Sequence, residues 1–222
     1  MRSICRAVPS ALFACLLLAG CSSVPLGSSG PSSSGAGGSG GSGAGAPGGS
    51  RAIAVGAGPQ KTYTVQQQPA AGSCHYRYEH GEPLEDRTCT PGAISPAVTQ
   101  ANLKSTVCRK GGYTSGVRPS AYVTGKEKRL NAASYGFTGR MGDAEYDHLI
   151  SLQLGGDPND PRNLWVEPAD PGHKKGAGVN NKKDPVETKL HTALCSGKIT
   201  LVQAQQAIAT DWTTALSTLH LS

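Results

Sequence analysis

Glu145-Tyr146-Asp147-His148-Leu149-Ile150-Ser151-Leu152-Gln153-Leu154-Gly155-Gly156, followed by Asn163-Leu164-Trp165, is the densest chemical stretch of this chain. A carboxylate stands beside an imidazole in a β-compatible segment, and Gly155-Gly156 permits a tight reversal. Asn163 then begins a returning strand, Asn163 to Val166, which brings its amide back toward the Asp-His pair. Asp147 and His148 point to opposite sides of an ideal strand. Both reach one pocket only if the hairpin is twisted or irregular there. A divalent ion on oxygen ligands, with a neutral imidazole as base, is one solution to phosphodiester hydrolysis.

Working outward, Asp184 to Cys195 has helical spacing through Val186, Leu190 and Leu194. Leu201 to about Leu219 reads as the clearest helix, with Trp212 expected in the core. Pro119-Ser120 opens a helix running toward Tyr135 and closed by Gly136. Ser95-Pro96 predicts a further helix, capped by Ser95 and ending near Cys108 before Gly111-Gly112. Short β-compatible pieces are expected from Tyr146 to Leu154. Tyr63 to Pro91 reads as loops with one hairpin.

The first twenty residues read as a secretory signal: Arg2 and Arg6, an apolar run from Ala11 to Leu18, then Ala19 and Gly20. The run is far shorter than the roughly 20 residues needed to span a bilayer. Leu18-Ala19-Gly20-Cys21 resembles the bacterial lipobox, which implies acylation at Cys21, cleavage before it, and a chain held in the cell envelope outside the cytoplasm by a lipid anchor. Residues 21–59 are then the lipidated cysteine and a Gly/Ser-rich linker, whose scarce apolar surface does not offset the entropy of ordering it. Residues 60–222 are left as one domain by length.

Of seven cysteines, Cys5 and Cys15 fall in the signal and Cys21 at the lipidation site. Cys74, Cys89, Cys108 and Cys195 remain, an even number in an exported domain, which favours two disulfides. Three connectivities are open. The expected one is a local Cys74–Cys89 loop with a long-range Cys108–Cys195 clasp. None of the four forms a C-x₂₋₄-C pair, which argues against a zinc knuckle. The formal charge is +6, or +4 without Arg2 and Arg6, and the basic residues cluster from Lys104 to Arg140 and from His173 to Lys189. That pattern suits a polyanionic partner.

The ordered set Asp-His-Leu-Ile-x-Leu-x-Leu-Gly-Gly, Asn-Leu-Trp, then Lys183-Asp184-Pro185-Val186-Glu187, resembles the HNH endonucleases with their ββα-metal motif, in a compact exported bacterial group. The likeness runs from about Thr88 to Trp212 and includes Leu190 to Leu201, Ala204 to Trp212, and the upstream Thr-Val-Cys-Arg…Val-Arg-Pro stretch. It implies an α+β fold: a small helical domain around the hairpin–helix motif, braced by disulfides, after a disordered linker. It also implies a metal-dependent endonuclease whose cofactor is Mg²⁺ or Mn²⁺ and whose substrate is nucleic acid, DNA ahead of RNA, with a monomer expected. His148 matches the general base, Asp147 the metal-binding carboxylate, and Asn163 the Asn that fixes the hairpin. The third metal position stays open between Asn181 and His173, because the segment from Glu167 to Val179 is expanded. Lys174, Lys175, Lys182 and Lys183 are candidate phosphate contacts, and Glu145 and Asp184 candidate supports for the metal. The alternative, from another class, is a non-catalytic envelope lipoprotein domain that binds polyanions on the same scaffold.

Overall fold

A computed structural model describes residues 52–179 and 181–221. The signal, Cys21 and most of the linker lie outside the described residues. Among those described, no helix is long and apolar enough to cross a membrane.

The fold is α+β, with three two-stranded sheets among helices. Strand β1 (Ala54–Val55) pairs in parallel with β4 (Ala93–Ile94), and β2 (Arg77–Glu79) forms a hairpin with β3 (Glu82–Leu84). Helix α1 (Ala121–Ser134) follows, then β5 (Glu145–His148) and β6 (Leu164–Glu167), paired antiparallel. Helices α2 (Lys183–Cys195), α3 (Leu201–Thr210) and α4 (Ala215–Thr218) complete the chain. The linker expected to reach residue 59 is shorter than that. β1 lies inside it, and Gly56 N–H donates to Ile94 O at 2.9 Å while Gly58 N–H donates to Asp157 Oδ2 at 2.6 Å.

Two expected helices are cut by side chains that compete with the backbone. Between Ser95 and Cys108 only a 3₁₀ stretch forms, Gln100–Ser105. Asn102 accepts from Thr99 N–H at 2.8 Å and donates to Ala97 O at 3.0 Å, which favours a turn over α-helix. The predicted Leu201–Leu219 helix breaks at Asp211, whose Oδ1 accepts from the Thr213 N–H at 2.8 Å. The break lets Trp212, 3% exposed, enter the core and donate its indole N–H to Pro83 O. The strand expected to extend past His148 also ends there, giving way to a 3₁₀ turn at Leu152–Leu154.

The main core gathers Leu84, Ile150, Leu154, Leu190, Leu194 and Ile208. Helix α2 is divided along its length: Leu190, Ala193 and Leu194 face that core, whereas its first turns bury Lys183 and Glu187. Helix α1 buries Asn131, which accepts from Val166 N–H at 2.7 Å and donates to Leu164 O at 3.3 Å, pinning the helix to β6. Both disulfides pair as expected, Cys74–Cys89 and Cys108–Cys195. The second ties the C-terminal end of α2 to the segment after the 3₁₀ stretch. In the chain-entropy account, closing a loop of that length stabilises by roughly 4–5 kcal/mol.

Candidate active site

Hairpin β5–β6 carries the expected pair. His148 lies opposite Leu164 and Asp147 opposite Trp165. The loop between the strands is locked by Asn163, which is fully buried. Its Oδ1 accepts from Ile150 N–H at 3.0 Å, and its Nδ2 donates to Ile150 O and Asp157 O, both at 3.0 Å. Gly156 is required at the same spot, since a Cβ there would lie 1.7 Å from Ile150 O.

This loop places Pro158 O 3.1 Å from His148 Nε2. A carbonyl only accepts, so the contact assigns the proton to Nε2 and leaves the lone pair on Nδ1. Burial holds the imidazole pKa down, to about 4, with the Pro158 hydrogen bond and Asp147 opposing and Arg118 and Lys183 assisting. The ring is therefore neutral at neutral pH, the state a general base needs.

Asp147 faces the other side of the strand. Its Oδ2 accepts from Trp165 Nε1 at 3.1 Å and pairs with Lys183 Nζ at 2.8 Å. Its Oδ1 makes no hydrogen bond among the described residues. Lys183, expected as a phosphate contact, is only 1% exposed. Its ammonium also donates to Glu187 Oε1 at 2.5 Å and His148 O at 3.0 Å. Burial alone would lower its pKa, but Asp147, Glu187 and Glu167 outweigh that and keep it charged. Lys182 is likewise taken, by Glu82. Of the candidate phosphate contacts Lys174 and Lys175 stay exposed, as do Arg118 and Arg140, the latter 3.4 Å from Asp143. Of these, Arg118 acts electrostatically on Glu145, His148 and Asp184.

The two candidates for the third metal position sit elsewhere. Asn181 donates to Glu145 Oε2 at 2.9 Å and accepts from Asp184 N–H at 3.0 Å, capping the start of α2. His173 Nε2 lies 3.6 Å from Asp143 Oδ1. Neither forms a hydrogen bond or ion pair with Asp147 among the described residues.

What the sequence reading missed is Glu167. It faces Glu145 across the hairpin and, with Asp143 and Asn181, lines a narrow cleft. Glu167 is 1% exposed, and neither carboxylate oxygen has a hydrogen-bond partner among the described residues. Burial, then the Asp147 charge, pushes its pKa well above the ordinary value. Burial, then Asp147 and Asp184, raises Glu145 to about 7. Only the strand register, which pairs residues 145 and 167, could have pointed to this partnership. A surplus of carboxylate over ammonium in a buried cleft fits a hard divalent cation with oxygen ligands.

A second group, Cys108, His191 and Cys195, has ligand atoms within 4.8 Å of one another. Its sulfurs are bonded to each other, and a disulfide supplies no thiolate to a metal. His191 Nε2 instead lies 2.9 Å from Val107 O. This group is a brace. Comparison of the chain with protein-family models, curated proteins and solved structures finds no match.

Proposed function

We propose that this chain is a metal-dependent, HNH-like endonuclease, tethered to the envelope through Cys21, that hydrolyses nucleic-acid phosphodiesters outside the cytoplasm. The observation that carries the reading is His148: a neutral, nearly enclosed imidazole anchored by Nε2 to Pro158 O, beside a carboxylate. In this reading His148 Nδ1 takes a proton from the attacking water. The new P–O bond forms as the bond to the 3′ oxygen breaks. Asn163 keeps the loop, and so Pro158 O, in place. Arg118 and the exposed lysines hold flanking phosphates through charge alone. Asp147, whose Oδ1 has no hydrogen bond among the described residues, is the carboxylate the resemblance assigns to Mg²⁺ or Mn²⁺. Such an ion, when bound, polarises the phosphate and offsets charge on the leaving oxygen.

The test is nicking of supercoiled plasmid by the full chain with both disulfides intact, with Mg²⁺, Mn²⁺ or chelator, beside His148→Ala. Cleavage that requires metal and falls about 10²- to 10⁴-fold in the variant is the expected result. No cleavage of plasmid, single-stranded DNA or RNA overturns it. The second reading, polyanion binding without hydrolysis, draws on Lys183, which already neutralises Asp147. It predicts affinity that survives His148→Ala and no hydrolysis in either form.

A further inference from the structure

We infer that the divalent cation is held by the carboxylates of Glu145 and Glu167, across the open end of the hairpin, and not by Asp147 with Asn181 or His173. The inference rests on the reading above, and it places the ion on the face of the hairpin that carries Asp147.

Three observations carry it. First, Glu167 is a buried carboxyl group whose two oxygens both lack a partner among the described residues and which lines the cleft. A buried polar group left unmet is costly, so this one is open to a partner from outside the chain. Second, the register sets Glu145 directly opposite, and paired positions on one face of an antiparallel sheet hold their Cβ atoms roughly 5 Å apart. Two carboxylates at that spacing stay charged together only with a cation between them. Third, the competing donors are partly committed. Asp147 Oδ2 takes Lys183 and Trp165, and the Asn181 carbonyl oxygen caps α2.

Asn181 then acquires a different role. Its Nδ2 holds Glu145 Oε2 and leaves Oε1 free, so it is a positioning residue for the carboxylate. A site of two carboxylates matches the hard oxygen donors that Mg²⁺ takes. Mn²⁺ prefers the same hard oxygen donors.

The experiment is calorimetric titration of Mn²⁺ and of Mg²⁺ into the chelator-treated full chain, disulfides intact, with thermal unfolding recorded alongside. The expected result is one ion per chain, with affinity at least 10-fold weaker in Glu167→Gln and in Glu145→Gln. His173→Ala should bind within 2-fold of the parent. Gln is nearly isosteric with Glu, and the two variants are independent, so a folding defect in one leaves the other as the test. Undiminished binding in a folded Glu167→Gln or Glu145→Gln variant, or no binding to the parent, overturns the inference. The two readings fail separately. Ion binding at this pair without cleavage supports the site and removes the nuclease; metal-dependent cleavage with undiminished binding in Glu167→Gln does the reverse.

Discussion

At its loop end the β5–β6 hairpin is sealed, and at its open end it is not. Around His148 and Asn163 the main polar groups are matched, though Ser151 Oγ and Asn159 Oδ1 are not: the Asn163 side chain serves two carbonyls and an amide, and the His148 ring has its carbonyl. About three residues away along the same strands, Glu145 faces Glu167, whose two buried oxygens have no partner among the described residues. The difference teaches where to look for an incoming ligand. A satisfied network rigidifies and holds one geometry. An unsatisfied one, kept in an otherwise well-packed domain, marks the place where the chain is incomplete by itself.

The largest effect should fall at the sealed end. Asn163→Ala strands the Ile150 N–H, Ile150 O and Asp157 O, and each buried group left unmet costs about 1–3 kcal/mol. A stability loss of about 3 kcal/mol or more is expected in urea unfolding with the disulfides intact. A loss below about 1 kcal/mol would erase the contrast between the two ends.

A sharper comparison comes from pH, because the two ends carry shifts of opposite sign. Burial depresses His148 from 6.5 to about 4, so its contribution to stability is present above pH 6.5 and is lost as pH falls toward 4. Burial and neighbouring acids raise Glu145 from 4.5 to about 7, so the folded state holds that proton longer. Its contribution is present below pH 4.5 and is lost as pH rises toward 7. Unfolding free energies in chelator from pH 4 to 7.5 should therefore lose their acid-side decline in His148→Gln. The decline toward neutrality should flatten in Glu145→Gln. Identical profiles for the two variants would mean the ends are not electrostatically distinct.

The smallest effect concerns substrate contact at the exposed edge. Arg118→Ala removes one exposed cation whose charge reaches His148, Glu145 and Asp184. Duplex DNA binding measured against salt should lose about one phosphate contact, lowering the slope of log K against log salt by roughly 1. An unchanged slope would take Arg118 out of the interface.

Part of this arrangement was legible residue by residue. The Asp147-His148 strand, the Gly155-Gly156 turn, the return at Asn163, α1 and α2 all follow from local pattern. So does the division of four cysteines into a short loop and a long clasp. Local pattern failed where a side chain answered to a distant partner. Trp212 left the helical period to reach Pro83 O, and Asn102 spent its amide on its own turn. Lys183 shows the same limit at the candidate site. In sequence it is one lysine in a basic run, as suited to phosphate as Lys174, yet α2 turns it inward onto Asp147 and Glu187.

What the sequence determined alone is whatever depends on spacing along the chain: strand, turn and helix, the even cysteine count, and the adjacency of a carboxylate and an imidazole. Tertiary structure decided which charges are buried and what each one meets. Burial is set by elements far apart in sequence, and it is burial that makes His148 neutral, Lys183 an internal counter-ion, and Glu167 a carboxyl group without a hydrogen-bond partner among the described residues. The free energy of a charge depends on its surroundings far more than on its identity, and those surroundings exist only once the chain has folded.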